Sequence, residues 1–496
     1  MRTVIRNGTV VGFNGQEHVI IEKGVVVYDD DRIAYVGFNY DGPADKEIDA
    51  TGKLVTPGFI NTHLHAGTLS QFRFVSDYGK REFFGAGYLN YRTPGKGRKM
   101  RPEDPEIAAL VTIVELLKWG TTTCVEVGTT PEIAEKLVEV AGALGIRGFF
   151  GVGYRSAEHY FENNRLYFDF DDERGRRRLD QAVDFIQRHR GKFNGRIQGM
   201  LYPMQVDSCT PELMRLSAEK AREIDVGVSI HTAQNLMEFH RIVGQFAKTP
   251  VELLDEVGLL GPRTILGHCC FTTAHPATHF PGDDLELIVR SGASVAHCPV
   301  ASSRRSHILH SFSKYVRRGI NVSIGTDSFP RDIIREMGFV GPFNKVIDED
   351  VTVGTSREVF NAATLGGARA VGLQGQIGAL APGYKADILV INMRSLRVGP
   401  VWDPVKSLIE CGVGDMVDLS IIDGRTVVEG GRVVGVDEEE LYRREQEEAA
   451  AMFADFQNWD WAGRKPEDVF TWAFRKATQE DFPAPPAGDG QGAAAR

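Results

Sequence analysis

An α/β fold built on a (β/α)8 TIM barrel is predicted for the middle of the chain, residues 56–383, and two observations predict it. Eight short apolar runs alternate there with helical stretches, which is the order of a parallel barrel. Two stretches of similar β-rich texture, 1–55 and 384–436, flank the middle and predict one small β-sandwich made from both ends of the chain. A third observation concerns content: several of the eight runs end in histidine or aspartate, where a barrel strand delivers side chains into its mouth.

The first stretch reads TVIRNGTVVG, HVIIEKGVVVYDD and RIAYVGF, with turn signals at Asn7-Gly8 and Asn14-Gly15, so hairpins of an antiparallel sheet are expected. The barrel runs follow as LVTPGFINTH, TTTCVEV, IRGFFGVG, RIQGMLYP, VGVSIH, RTILGH, ASVAHC and NVSIGTD. Between them lie periodic segments such as PEIAALVTIVELLKWG and PELMRLSAEKAREI, each with proline near the helix start. An insertion from about Leu69 to Arg101, rich in Gly, Arg and aromatics, reads either as a lid over the mouth or as a surface excursion. The texture of the first stretch returns in ADILVINM and VDLSIIDGRTVVEGGRVVG. Residues 437–496 form a helical extension, DEEELYRREQEEAAAMFADF followed by Trp459, Trp461 and Trp472, as a packing or homodimer element. Its end, PAPPAGDGQGAAAR, has the composition of disorder.

The 496 residues suffice for a barrel and a smaller companion, and a formal net charge of −10 argues against a nucleic-acid or anionic-membrane partner. The partner expected is a small-molecule substrate. MRTVIRNGTVVGFNG lacks the apolar core of a signal peptide and no run is long enough to span a bilayer, so a cytoplasmic protein is expected. Six scattered cysteines without a CxxC pair imply no disulfide framework.

His63 and His65 stand one residue apart after an apolar run, and side chains at i and i+2 of a strand point to the same side. Alone such a pair is weak. Strand five adds His231, strand six His268 and strand eight Asp327, all on one predicted face. Imidazole and carboxylate together suit a divalent ion, Zn2+ first and Fe2+ as the other ion these donors serve. Three histidines and one carboxylate leave room for a water, whose pKa the ion lowers towards about 7. His268 then orients the nucleophile or polarises the substrate, and Asp327 takes a proton and returns it to the leaving group.

PGFINTHLHAGT, SIHTAQN, GHCC, AHCPVAS and SIGTDS, followed by ATLGGARAVGLQGQIGALAPGYKADILVI, resemble the amidohydrolase superfamily, more narrowly its chlorohydrolase/cytosine-deaminase-like branch. The likeness runs from about Ile5 to Val434. It implies that His63, His65, His231 and Asp327 hold one metal ion and that His268 is the catalytic histidine. Binuclear relatives use a carboxylated lysine or an equivalent carboxylate on strand four, and RIQGMLYPMQ has no lysine, which favours a single ion.

Two departures matter. Deaminases of the branch carry a glutamate three residues after the strand-five histidine, and here that residue is Gln234, whose amide cannot exchange protons. Glu238, one turn further on, reads either as a substitute for that glutamate or, in preference, as a solvated helix face. Strand four continues as LYPMQVDSC, where the family often has a histidine, so Met204 and Gln205 suggest a different substrate edge. Gln234, His297 of HCP and Arg304 are the substrate-contact candidates, with Arg305 beside them; His275 and His279 have weaker claims.

The reading is a mononuclear metal-dependent hydrolase of a non-peptide carbon–nitrogen bond in an amide, urea, carbamate or cyclic amide. A heterocycle deaminase or chlorohydrolase is the alternative. A non-catalytic relative is the remote one, disfavoured because the mononuclear ligands are all present.

Overall fold

The computed structural model describes residues 1–67, 94–163, 165–470 and 472–482. Most of the 69–101 insertion and the final residues, read as a lid or excursion and as a disordered tail, lie outside them.

Eight parallel strands form the barrel: Phe59–Leu64, Thr121–Glu126, Arg147–Phe150, Ile197–Pro203, Gly227–Thr232, Thr264–His268, Ser294–His297 and Asn321–Ile324. Each pairs with the next in sequence. Strands one and eight meet through a parallel bridge between Leu64 and Asp327. Side chains stitch this seam: the Asn61 amide donates to the Thr326 hydroxyl at 2.8 Å, and the Thr62 and Ser323 hydroxyls lie 2.7 Å apart.

Helices between the strands start where the sequence predicts. Asp104, Thr130 and Thr210 accept backbone N–H groups at the starts of Pro105–Lys118, Pro131–Leu144 and Pro211–Glu223. Each helix begins with proline, whose missing N–H is no loss in a first turn.

The two ends of the chain come together in one nine-stranded sheet, as expected of a unit built from both termini. In it Lys53–Pro57 joins Arg2–Phe13 to Ile388–Asn392. Ile5, Val26, Val55, Ile388 and Ile421 share one core.

Two local expectations change. LVTPGFINTH is not one strand: it breaks at Gly58, leaving Lys53–Pro57 in the terminal sheet and Phe59–Leu64 in the barrel. A Cβ at Gly58 would lie 2.0 Å from the Thr122 hydroxyl, so only glycine passes there. Asn7-Gly8 is not a hairpin turn. Arg2–Phe13 runs through it with a bulge, and Asn7 takes a φ of 66°. Asn14-Gly15 does turn the chain, between Phe13 and His18.

A buried ion network ties the terminal sheet to the barrel floor. Arg147, 1% exposed, donates to Asp387 and, at 2.5 Å, to Asp423, which Lys385 also reaches at 2.9 Å. The C-terminal helix Glu438–Trp459 lies along Pro105–Lys118, with Arg101 2.7 Å from Glu448. Beyond it Phe456, Trp459 and Val469 enclose a small cluster with Met100 and Phe470. No described helix is long and apolar enough to cross a membrane.

Candidate metal centre and active site

The closing seam places the first three groups. Asp327 donates its N–H to the His63 carbonyl at 2.9 Å, and the His65 N–H donates to the Asp327 carbonyl at 2.7 Å. Strand one therefore carries His63 and His65 into register with strand eight. His231 and His268 arrive from strands five and six, which pair so that His231 faces Gly267. The His63 ring centroid lies 4.8 Å from that of His231 and 4.5 Å from that of His268. Space for it is cleared by two glycines: a Cβ at Gly267 or Gly325 would lie 2.5 or 2.7 Å from His63.

The donor atoms of His63, His231 and His268 lie within 4.8 Å of one another, as do those of His63, His65 and Asp327. All five predicted groups are thus brought to one place. Among them, His268 stands inside the ligand cluster, with its Nε2 3.8 Å from Asp327 Oδ2.

Several observations fit a cation here. Both ring nitrogens of His63 and both of His268 are buried without a hydrogen-bond partner. His231 Nδ1 donates to the Met204 carbonyl at 2.5 Å, which leaves its Nε2 a bare lone pair, 3.1 Å from His65 Nε2. Burial, and then the neighbouring imidazoles, hold the His63 pKa well below the ordinary range. Burial likewise lowers His268 and outweighs the pull of Asp327. Neutral imidazoles facing inward beside a carboxylate are the donor set of a first-row divalent ion. Burial alone would raise the Asp327 carboxyl; Arg305 first, then His268, His65 and His231, hold it well below the usual range.

Further groups support this shell, and the sequence reading missed them. Arg331, fully buried, donates to the His65 carbonyl and, at 2.9 Å, to Glu115. Glu126, at the end of strand two, accepts from the backbone of Ala66 and Gly128, and burial pushes its carboxyl up to about 8. Its signal was available, since TTTCVEV ends in an acid just as other strands end in histidine.

The substrate-contact candidates fall differently. Gln234 is buried at the end of strand five, and its backbone N–H donates to Glu238 at 2.8 Å. Glu238 is not a solvated face: it is fully buried and accepts both the Ala233 and the Gln234 N–H. Arg304 stacks over Phe329 at 4.1 Å and donates to its carbonyl, whereas Arg305 reaches Asp327 at 3.3 Å. His297 packs against Phe312, and burial alone lowers it to about 3, with no charge of the cluster acting on it. His275 lies 4.9 Å from His310, on the loop after strand six.

The profile of the Amidohydrolase family matches residues 54–427. The chain is 29% identical over 449 residues to a 5-methylthioadenosine/S-adenosylhomocysteine deaminase of Pyrococcus abyssi, covering 89% of this chain and 97% of the relative. It is 30% identical over 438 residues to a 5'-deoxyadenosine deaminase of Methanothermobacter thermautotrophicus, covering 87% and 95%. Among solved structures it resembles an adenosine deaminase from Xanthomonas campestris with bound zinc, at TM-score 0.77 and 20% identity over 91% of this chain and 98% of that one. An atrazine chlorohydrolase from Arthrobacter aurescens complexed with zinc gives 0.74 at 21% identity, covering 90% and 100%.

Proposed function

The chain belongs to the amidohydrolase family and hydrolyses carbon–nitrogen bonds other than peptide bonds; from that premise we propose that its substrate is an amino-heterocycle whose exocyclic amine leaves as ammonia. The observation that carries the reaction class is the convergence of His63, His65, His231, His268 and Asp327 on one point. The substrate class is supported by the aminopurine nucleosides that the relatives' names specify, across nearly nine-tenths of this chain.

His63, His65, His231 and Asp327 would hold one ion, Zn2+ in our reading. When bound, the ion acidifies a water and so supplies the nucleophile near neutral pH. Water adds to the carbon bearing the amine, and the carbon–nitrogen bond then breaks to give a ring carbonyl and ammonia. One water proton is taken by Asp327 Oδ2 and delivered to the leaving nitrogen, and the other, left on the added oxygen, moves to the ring nitrogen as the carbonyl forms. His268 Nε2, beside that oxygen, orients the addition. Gln234 donates a hydrogen bond to a ring nitrogen but cannot protonate it.

Gln234 also favours a second reading. An amide, urea, carbamate or cyclic amide needs no ring protonation, and Asp327 with His268 suffices for it. Steady-state kinetics at matched metal content separates the two, with 5'-deoxyadenosine and 5-methylthioadenosine set against ureas, carbamates and cyclic amides. Ammonia release from the nucleosides is expected, and Gln234→Glu should raise it by about 10²-fold or more, the range of a positioned acid–base group. Ring or amide opening without ammonia from either nucleoside would overturn the proposal in favour of the second reading.

A further inference from the structure

The barrel has a second concave site, on the face opposite the metal centre. A pocket of about 240 Å³ opens there at the starts of strands four, five and six, beside Gln198, Gly227 and Arg263. The far ends of strands five and six carry His231 and His268, so the whole length of the barrel separates the two sites. The pocket's other wall is the turn Val371–Leu373, which follows the helix Gly367–Ala370. Ala368, Ala370 and Val371 share a core cluster with Ile60, Val125 and Ile265 inside the barrel, so this turn closes the barrel floor.

Its lining is of two kinds. Phe149, Met200, Val371 and Leu373 supply apolar surface. The rim is charged: Arg263 Nη1 is 2.5 Å from Asp225 Oδ1, and Arg190 Nη2 is 3.8 Å from Oδ2 of the same carboxylate. Two guanidiniums share one carboxylate, which leaves one positive charge over. Each guanidinium carries five N–H donors in a planar fork. Arg263 gives one to Asp225 and Arg190 one to the Ile224 carbonyl at 2.9 Å, so both keep donors for a second carboxylate. This combination is selective. A cation is repelled, a neutral ligand leaves the charge unanswered, and a dianion overshoots it. The volume lies below the range of about 300–1,000 Å³ that drug-sized ligands fill, so the occupant is small.

We propose that the pocket on the barrel floor binds a small monoanion, a carboxylate on a compact apolar ring, with Arg190 and Arg263 on the carboxylate and Phe149, Met200 and Val371 around the ring. The site is independent of which carbon–nitrogen bond is hydrolysed at the mouth. Asp225 competes with the ligand for both arginines, and its left-handed backbone, with φ 55°, is one that asparagine also adopts.

The probe is benzoate, titrated into metal-loaded protein with isotope-labelled methionine methyls, and benzamide is its neutral counterpart. Met200 lines the pocket, whereas the Met204 carbonyl accepts from His231. Their methyl resonances, assigned from Met200→Leu and Met204→Leu, therefore report the two faces separately. Benzoate should shift Met200 saturably, with a Kd on the order of 1 mM or tighter. Benzamide, and benzoate on the double variant Arg190→Gln/Arg263→Gln, should each bind about 10-fold more weakly or worse. Asp225→Asn should tighten benzoate by about 2- to 5-fold, the worth of one exposed ion pair, a gain that damage to the fold cannot produce. A shift of Met204 with Met200 unmoved, equal binding of benzamide, or an Asp225→Asn protein that binds benzoate no better than wild type would overturn the proposal.

Discussion

At the scale of single residues, five side chains from four strands converge, and their roles separate by what each loses on removal. His63 has both ring nitrogens inside the cluster, so His63→Ala should abolish tight metal binding while leaving a folded barrel. His268→Ala should keep about one ion per chain and lose about 10²–10⁴-fold in turnover, the share of a positioned acid–base group. Metal analysis of the two purified variants beside wild type checks both. Loss of the ion from the His268 variant would make that residue a ligand, which its place near His63 and His231 also permits. Arg305 shows why a neighbouring pair of arginines cannot be ranked from sequence. Arg304 turns onto Phe329 and Arg305 onto Asp327, and the choice depends on residues more than twenty positions away.

At the scale of elements, the first hairpin seats itself on the barrel through His18. The ring lies edge-on to Phe360, 5.1 Å away, and its Nε2 is 3.2 Å from the Thr364 hydroxyl. Burial lowers the His18 pKa to about 4. The unfolded chain therefore binds this proton first as pH falls. The contribution to stability is whole above the ordinary imidazole value of 6.5 and is lost progressively towards pH 4. His18→Phe keeps the aromatic contact and removes the proton. Its urea midpoint should fall less than that of wild type between pH 7 and 4.5, by an amount worth about 2–3 kcal/mol. Parallel curves for the two proteins would show that His18 does not govern the hairpin's acid response.

At the scale of the whole molecule, the terminal sheet and the barrel are joined by charge as well as by apolar packing. Arg147 starts barrel strand three, and Asp387 and Asp423 belong to the far end of the chain. Arg147→Met would strand the buried Asp387 carboxylate and leave Asp423 to Lys385, for a loss of about 3–5 kcal/mol. Chemical denaturation should register that loss, and pairing the change with Asp387→Asn should recover part of it. A shift below about 1 kcal/mol would mean that water enters the network and the sheet is held by its apolar core alone.

Periodicity and strand ends made much of this protein legible in one dimension. Alternation with period two, prolines at helix starts and the order of eight runs are local properties, and they were enough for the barrel and for the sheet drawn from both ends. The spacing of His63 and His65 also carries its own geometry, because a strand fixes which side each residue faces. What the tertiary structure decided depends on neighbours distant in sequence. Gly58, where an apparent strand breaks, lies where Thr122 occupies the space a side chain would need, and Gly8, inside a bulged strand and not in a hairpin turn, packs where a Cβ would stand 2.7 Å from Val55. Glu238 looks like surface in its helix and is buried, because its carboxylate braces the turn that follows His231. Local sequence fixes which faces a segment offers; burial and pairing are properties of what the rest of the chain lays against those faces.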